Sequence, residues 1–336
     1  MFTKEYALSL LNTGSTEVEA LYRRADEVRK HACGEDVFLR GIIEFSNICA
    51  ADCTYCGIRA SNREVERFKI PSDEIVETAL AAKSAGITTV VLQAGESQAV
   101  SDQELGQIIR RIKEESGLAI TLSVGNRSEQ TYRYWQACGM DRYLLRFETS
   151  DAELFGRVHG SCSLDERLEC LRSLRRLGVQ TGSGFLIGLP GERLEILADN
   201  IMLCRELDLD MIGIGPFIPH PHTPLGSFPN AYADQPEMFF KALAVLRIFN
   251  PTAHIPATTA FDAVFPDKGR DLLLQRGANV FMPNITPAKY RSMYLLYPNK
   301  PGLVESECEC LQCAAHLVKR LGRPIGKGPG HTLKRR

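Results

Sequence analysis

Hydrophobic and polar residues alternate with two different periods along the chain, and the period changes near residue 36. In the first 35 residues apolar side chains recur at helical spacing, as at Leu8, Leu11, Leu21 and Val28, which predicts helices there. Beyond them, short runs rich in β-branched residues alternate with longer amphipathic stretches. The runs predicted to be strands are 38–45, 88–95, 119–125, 141–148, 181–189, 211–218, 254–261 and 279–284.

The amphipathic stretches begin and end at residues typical of helix termini. Three of them start at a serine and stop at a glycine: Ser72 and Gly86, Ser101 and Gly117, Ser163 and Gly178. Eight strands that alternate with helices predict a closed α/β fold, the (β/α)8 TIM-type barrel, and an open doubly wound sheet is the alternative. We expect one domain over residues 1–336, with N-terminal helices (1–35), the barrel (36–300) and a C-terminal extension (301–336).

The composition argues against two kinds of partner, nucleic acid and membrane. The chain has 336 residues, and its 40 basic residues nearly balance 41 acidic ones, so no nucleic-acid partner is expected. No apolar run reaches the roughly 18 residues of a membrane span and the N-terminus lacks a signal-peptide pattern, which favours a cytoplasmic protein without a membrane partner. Disulfides are rare there, so the eleven cysteines are expected to be thiols or metal ligands. The basic tail 331–336 is expected to be solvated.

Three cysteines stand close together in the stretch CAADCTYCG, which follows the first predicted strand. In a barrel, chemistry takes place at the carboxyl ends of the strands, where Cys49, Cys53 and Cys56 would lie. Closely spaced thiolates suit zinc or an iron–sulfur cluster. No further cysteine or histidine occurs between Gly57 and Gly125 to complete a zinc site nearby, although a structural zinc site and a redox pair stay open as alternatives. A 4Fe–4S cube usually takes four cysteines, so three leave one iron free for another ligand.

The Cys-x3-Cys-x2-Cys spacing, with Tyr55 before the last cysteine, resembles the motif of the radical S-adenosylmethionine (SAM) superfamily. The resemblance implies that Cys49, Cys53 and Cys56 bind a 4Fe–4S cluster whose fourth iron is chelated by the amino and carboxylate groups of SAM. One electron from the cluster would then cleave SAM to a 5′-deoxyadenosyl radical.

Further stretches correspond to SAM contacts of this superfamily. In LQAGE, Ala94 stands where a glycine is usual, and Gly95 and Glu96 complete the stretch that receives the SAM amino group. Glu148 is expected to bind the ribose or the amine, or else to cap or pair with the next helix. Arg167 is expected to bind the SAM carboxylate through its guanidinium fork. The remaining predicted cofactor contacts are Tyr55 and Ser123, with Ile187 and Ile214 beside the adenine.

Longer stretches, such as GIGPFIPHPHTPL and ANVFMPNITPAKYRSMYLLYP, resemble the HydE family of FeFe-hydrogenase maturases, which is grouped with biotin synthase and methylornithine synthase. This resemblance implies a small or organometallic cysteine-derived substrate, understood in that family as a cysteine-bound iron carbonyl cyanide species. Arg146 is expected to pair with the substrate carboxylate, or else to form an ion pair in the barrel wall. Around it, Thr258 and Thr259 would supply donors, unless they reflect ordinary strand propensity, while Gln93, Met282 and Tyr294 would shape the pocket.

The same resemblance implies partners: an electron donor such as ferredoxin or flavodoxin, and other hydrogenase maturases. A methylornithine synthase-like mutase and an iron–sulfur scaffold without turnover are the rival functions. A second cysteine cluster, Cys308, Cys310 and Cys313, could hold an auxiliary iron–sulfur cluster, a zinc ion together with His316, or no metal. Lone histidines are more often structural than catalytic, so His159, His220 and His222 are not assigned to the site.

Overall fold

Short parallel strands form the centre of the molecule. The structure is a computed structural model that describes residues 2–266, 268–303 and 307–334, with the backbone alone for 307–310. Its strands are β1 Phe38–Leu39, β2 Gly41–Ser46, β3 Thr89–Ala94, β4 Ala119–Ser123, β5 Arg142–Leu144, β6 Gln180–Ser183, β7 Leu186–Ile187, β8 Met211–Ile212, β9 Gly215–Pro216, β10 Pro256–Ala257 and β11 Val280–Phe281.

These strands close into a ring. Six of them lie side by side in the order β2-β3-β4-β5-β6-β8, and β1, β11 and β10 form a second parallel group. Two bridges join the groups, from Met211 to His254 and from Ile42 to Asn284, and the Ile42 amide donates to Pro283 O at 3.0 Å. Each of the eight predicted strand segments occupies one place in this ring. The predicted (β/α)8 barrel is therefore confirmed, and the open-sheet alternative is wrong.

Helices follow the strands and cover the outside of the ring. They are α1 Lys4–Leu11, α2 Val18–Cys33, α3 Ser72–Ser84, α4 Asp102–Ser116, α5 Glu129–Ala137, α6 Ala152–Val158, α7 Leu164–Arg176, α8 Leu194–Glu206, α9 Glu237–Phe249, α10 Thr259–Val264, α11 Gly269–Gln275, α12 Ala288–Arg291 and α13 Glu307–Arg320. The predicted N-terminal helices pack on α8 and α9. Within the described part of the chain, none of the helices has the length and apolar character needed to cross a lipid bilayer.

The predicted helix starts are confirmed at two serines and wrong at the third. Ser101 and Ser163 accept hydrogen bonds from the backbone amides three residues later, as capping requires. Ser72 is instead the first residue of α3 after Pro71, and its hydroxyl donates to Glu104 at 2.7 Å. A proline fixes the extended turn before a helix without any side-chain cap, which explains the difference.

Two predicted strands are shorter than their apolar runs. The run 181–189 is divided at Gly184, whose φ of 154° and close approach to the Gly213 carbonyl oxygen, 1.8 Å from a built Cβ, suit only glycine. The run 254–261 ends as a strand at Ala257, because Thr259 already begins α10. The apolar pattern of 254–261 therefore spans a strand end and a helix start, which periodicity does not distinguish over so few residues.

The C-terminal tail, defined here as residues 326–334, closes the amino end of the barrel. A layer of polar side chains, Arg40, Arg142 and His254, lies inside that end and is buried. The tail supplies their partners: Arg40 donates to Gly330 O at 3.0 Å, and Arg142 donates to Pro329 O at 2.8 Å. Burial lowers the pKa of His254 to about 3, so the neutral ring can donate from Nε2 to the His331 carbonyl oxygen at 3.0 Å. Within the predicted solvated tail 331–336, His331 and Leu333 are exposed, whereas Thr332 is half-buried and bonds to Gln180 and Asp210, so the expectation holds for only part of the described residues.

A chain that ends at Ile325 is expected to lose about 2–4 kcal/mol of unfolding free energy, since both arginines would be left buried without their carbonyl acceptors. Chemical denaturation of the purified protein measures the change. A chain that ends at Thr332 serves as the control, because it keeps these acceptors. It removes Lys334, which donates to Leu209 O and forms a part-exposed ion pair with Asp208 worth about 1 kcal/mol or less. Equal stability of the two truncated chains would show that the tail is not a structural plug.

Candidate active site

A cavity of about 350 Å³ runs along the barrel axis, from Arg40 near the amino end of β2 to the cysteines that follow its carboxyl end. All the predicted site residues except Ile187 line it. They are Cys49, Cys53, Tyr55, Cys56, Gln93, Ala94, Gly95, Glu96, Ser123, Arg146, Glu148, Arg167, Ile214, Thr258, Thr259, Met282 and Tyr294. Residues far apart in sequence thus meet in one cavity, as a ligand site requires.

The cysteine loop, defined here as residues 47–70, is fixed by backbone hydrogen bonds. The Arg67 guanidinium donates to four of the loop's own carbonyl oxygens, those of Asn47, Ile58, Arg59 and Asn62, at 2.6–3.0 Å. These contacts tie the loop to its own backbone, because each of these donors is paired within it.

The three motif cysteines are free thiols on the cavity wall. Burial raises the pKa of each of them, that of Cys53 to about 12, and the positive charge of a bound cluster would stabilise the thiolates. Among the described residues, no three His, Cys, Asp or Glu side chains lie close enough together to hold a single metal ion. A 4Fe–4S cube does not require that spacing, since each thiolate binds a different iron.

The end of β3 lies directly against the cysteine loop. The Gly95 amide donates to Ser46 O at 3.0 Å, and Ala50 donates to Glu96 O at 2.7 Å. A Cβ on residue 95 would lie 2.4 Å from the carbonyl oxygen of Ile48, so only glycine allows this approach. The LQAGE stretch and the cysteine motif therefore form one continuous surface.

Arg167, near the start of α7, is buried and faces this surface. Its Nη2 donates to Glu96 Oε2 at 3.3 Å and to Nε2 of His159 at 2.6 Å, while its Nε has no hydrogen-bond partner. A guanidinium only donates, so His159 must accept and is neutral, with its proton on Nδ1. Burial and the charge of Arg167 lower the pKa of His159 to about 4, in agreement with this assignment. His159 lines the cavity, although the sequence analysis left it out of the site.

Arg146 and Glu148 form an ion pair on the cavity wall after β5, with Nη2 3.0 Å from Oε2. The geometry is not that of a hydrogen bond, and Nε and Nη2 of Arg146 and Oε2 of Glu148 are buried without hydrogen-bond partners. Glu148 also has φ of 62°, a strained value for a residue with a side chain. Glu148 does not cap the next helix, because Asp151 does so. Charged atoms on a cavity wall that make no hydrogen bond indicate where a polar ligand would bind.

Strands β7 and β9 form the wall predicted to hold adenine. Leu186 and Ile214 line the cavity there, whereas the Ile187 side chain is fully buried in the core. Successive strand residues point to opposite faces, so only one of Leu186 and Ile187 can face inward. The Ile187 side chain is thus buried away from the cavity, contrary to the expectation that it packs on adenine, and Leu186 lines the cavity instead.

The opposite wall carries the predicted substrate contacts. Gln93 Nε2 donates to the Tyr294 hydroxyl at 3.2 Å, and the Thr258 hydroxyl donates to Ile214 O at 2.8 Å. Thr259 forms a hydroxyl pair with Tyr297 at 2.6 Å. Of these groups, the Tyr294 hydroxyl still has its proton to donate, whereas the Thr258 proton is already used by the barrel wall.

Several cavity residues were not assigned from the sequence. Tyr297 belongs to the YLLYP part of a stretch quoted above for its family resemblance, so the sequence already indicated this region. Glu44 interrupts the apolar run IIEF, where a charge inside a predicted strand is unusual. Its partner Lys300 stands at the edge of the barrel segment in a stretch without periodicity, and no sequence signal connected the two.

Only part of the second cysteine cluster lies within the described residues. The side chains of Cys308 and Cys310 lie outside the described residues, and Cys313 is exposed on α13. An auxiliary cluster or zinc site at this position stays a prediction.

Known proteins share both sequence and fold with this chain. Residues 43–204 match the radical SAM superfamily. The chain is 42% identical over 332 residues to the FeFe-hydrogenase maturase subunit HydE of Thermotoga maritima, which covers 98% of this chain and 93% of that protein. It is 30% identical to 3-methylornithine synthase of Methanosarcina barkeri, over 83% of this chain and 78% of that protein. The crystal structure of methylornithine synthase superimposes with a TM-score of 0.82 at 27% identity, covering 97% of this chain and 94% of the other.

The sequence match with HydE extends over nearly the whole of both chains, so it includes the barrel, the cysteine loop and the terminal extensions. A 4Fe–4S cluster and SAM are the cofactors of the superfamily, as the cysteine motif predicted. The chain belongs to the radical SAM superfamily and, within it, to the HydE family of FeFe-hydrogenase maturases.

Proposed function

We propose that this radical SAM enzyme acts in FeFe-hydrogenase maturation on a small, cysteine-derived, thiol-bearing substrate that binds inside the barrel. The observation that carries the proposal is the Arg146–Glu148 ion pair, whose buried Nε, Nη2 and Oε2 atoms make no hydrogen bond and which faces a cavity that also holds the cysteine motif. A guanidinium on one wall, facing hydroxyl groups on the opposite wall, suits the carboxylate of an amino acid.

The residues around the cysteine loop fit the superfamily's cofactors. Cys49, Cys53 and Cys56 would hold the cluster, and the buried, unpartnered Nε of Arg167 would meet the SAM carboxylate. The backbone of residues 94–96 would receive the amino group. When bound, the cluster and SAM together supply a 5′-deoxyadenosyl radical. His159 keeps the Arg167 guanidinium in one orientation by accepting one of its hydrogen bonds.

On the substrate side, Arg146 would bind a carboxylate through Nε and Nη2, which have no other hydrogen-bond partner. Tyr294 would donate its phenol proton, and its orientation is set by Gln93. The buried walls exclude water from the reacting atoms. An electron donor such as ferredoxin or flavodoxin, and other hydrogenase maturases, belong to the same proposal.

Replacing Cys49 with alanine is expected to abolish the formation of 5′-deoxyadenosine, because the cluster would lose one of its three thiolates. The test is anaerobic reconstitution with iron and sulfide, then dithionite and SAM, with chromatographic detection of the product. Cys138→Ala is the control, since that buried cysteine is not on the cavity wall. A wild-type protein that binds the cluster yet forms no 5′-deoxyadenosine would instead be a scaffold. Formation of methylornithine from L-lysine would favour the mutase.

Replacing Arg146 with lysine is expected to reduce hydrogenase activation at least tenfold, or about 1.4 kcal/mol, because lysine cannot make the two-pronged contact with a carboxylate. SAM cleavage without substrate should change little. Both rates are measured in the same preparation, with the exposed Arg157→Lys as control. Unchanged activation would disprove the substrate role, and a loss confined to SAM cleavage would place Arg146 in the cofactor site.

His159 makes stability depend on pH. Its folded pKa of about 4 lies below the ordinary value of 6.5, so between these values only the unfolded chain binds the proton. The unfolding free energy should therefore fall by about 2 kcal/mol from this group as pH drops from 7.5 to 5. Denaturant unfolding at both values should show a smaller drop for His159→Gln, whose amide accepts without titrating. His222→Gln, at an exposed site, should match the wild type. Identical pH dependence in all three proteins would contradict the assignment.

A further inference from the structure

A short segment crosses the carboxyl end of the barrel after α12 and contacts the cysteine loop. This strap, defined here as residues 293–300, offers two carbonyl oxygens to that loop. Asn47 Nδ2 donates to Met293 O at 2.7 Å, and the Gly57 amide donates to Leu296 O at 2.9 Å. A Cβ on residue 57 would lie 2.1 Å from the carbonyl oxygen of Leu295, so the approach requires glycine.

The same strap forms part of the cavity wall. Tyr294, Tyr297 and Lys300 all line the cavity, on the side assigned above to the substrate. Tyr297 reaches Thr259 and Tyr294 reaches Gln93, so the strap joins the hydroxyl-bearing wall to the cysteine loop. Any shift of the strap would move both tyrosines relative to the cluster side of the site.

A buried ion pair holds the far end of the strap. Lys300 Nζ donates to both carboxylate oxygens of Glu44, at 2.5 and 2.6 Å, and to Tyr294 O at 3.0 Å. The two side chains are only 6% and 4% exposed, and Asn284 Nδ2 also donates to Glu44 at 3.2 Å. Glu44 lies in β2, the strand that leads into the cysteine loop.

The hydrogen bonds of the Lys300 ammonium group indicate its role. An ammonium group has three donors, and all three are used within the protein, two by Glu44 and one by the strap backbone. Lys300 thus has no donor left for a ligand, although it faces the cavity. A buried pair of this kind is unfavourable to break, because removal of one partner leaves the other charge uncompensated.

The geometry points to Lys300 and Glu44 as positioning residues that lock the strap to the first barrel strand. They thereby set Tyr294 and Tyr297 against the substrate without touching it. This inference rests on the proposed function for the identity of the substrate. The lock itself is a property of the protein alone, and can be measured without substrate.

The first measurement is hydrogen exchange of the reconstituted enzyme, followed by mass spectrometry of peptides that cover the strap. Lys300→Met keeps the length of the side chain but removes the ammonium, so exchange in the strap should become at least tenfold faster. Lys300→Arg should remain close to the wild type. The control is Lys289→Met, which breaks an exposed ion pair with Glu74 in the segment just before the strap and should change nothing in the strap. Unchanged exchange in Lys300→Met would overturn the inference.

The second measurement separates positioning from a general structural role. With the cysteine-bound iron carbonyl cyanide complex as probe, hydrogenase activation by Lys300→Met should fall at least tenfold, whereas SAM cleavage without the probe should stay within twofold of wild type. Glu44→Gln should show the same split, and the double variant should be no worse than either single variant, since the two residues act as one unit. A raised KM for the probe with unchanged strap exchange would make Lys300 a substrate contact and would overturn the positioning role.

Failure of the proposed function would look different. A wild-type enzyme that cannot use the probe, combined with fast strap exchange in Lys300→Met, would refute the maturase role and leave the lock supported. If Lys300→Met does not fold, the exchange test is made on Glu44→Gln. The glutamine still accepts a hydrogen bond from Lys300, so the predicted increase in hydrogen exchange of the strap is smaller, about threefold. No increase there would reject the lock.

Discussion

Closure of the barrel is the constraint that arranges the functional side chains around one cavity. The bridges from Ile42 to Asn284 and from Met211 to His254 turn a row of strands into a ring, so that all the carboxyl ends meet at one rim. Cys49 after β2 and Glu96 after β3 follow paired strands, whereas closure brings the residues after β11 against β2. The ion pair between Glu44 and Lys300, 256 residues apart, depends on it as well. The site is thus a product of the topology before any single side chain contributes.

The sequence predicted the architecture and most of the cavity wall because the relevant signals are local. Runs of β-branched residues marked each strand, and the serines at 101 and 163 marked helix starts. The cysteine spacing is a property of one short loop, and the residues quoted around it stand at strand ends, where a barrel directs them inward. In these cases local sequence and global fold indicate the same structure.

The errors came where the answer depends on partners distant in sequence. Nothing local decides whether Leu186 or Ile187 faces the cavity, because both are apolar and they form a strand of only two residues. The polar layer of Arg40 and Arg142 could have predicted a buried partner, yet the tail that supplies it reads only as a basic end. Lone histidines are more often structural than catalytic, so His159 was not assigned to the site. Its role follows only from its contact with Arg167. Lys300 lies in a stretch without a recognisable pattern, and its role follows only from its ion pair with Glu44.

The C-terminal tail, which closes the amino end of the barrel, bears on how compounds reach the cavity. Since Gly330 and His331 cover the layer of Arg40 and His254, the described residues leave access to the interior through the rim that carries Cys49 and Glu148. Under the proposed function, a compound bound deep in the barrel would pass that rim before SAM binds there. The deeper ligand would then enter first and leave last.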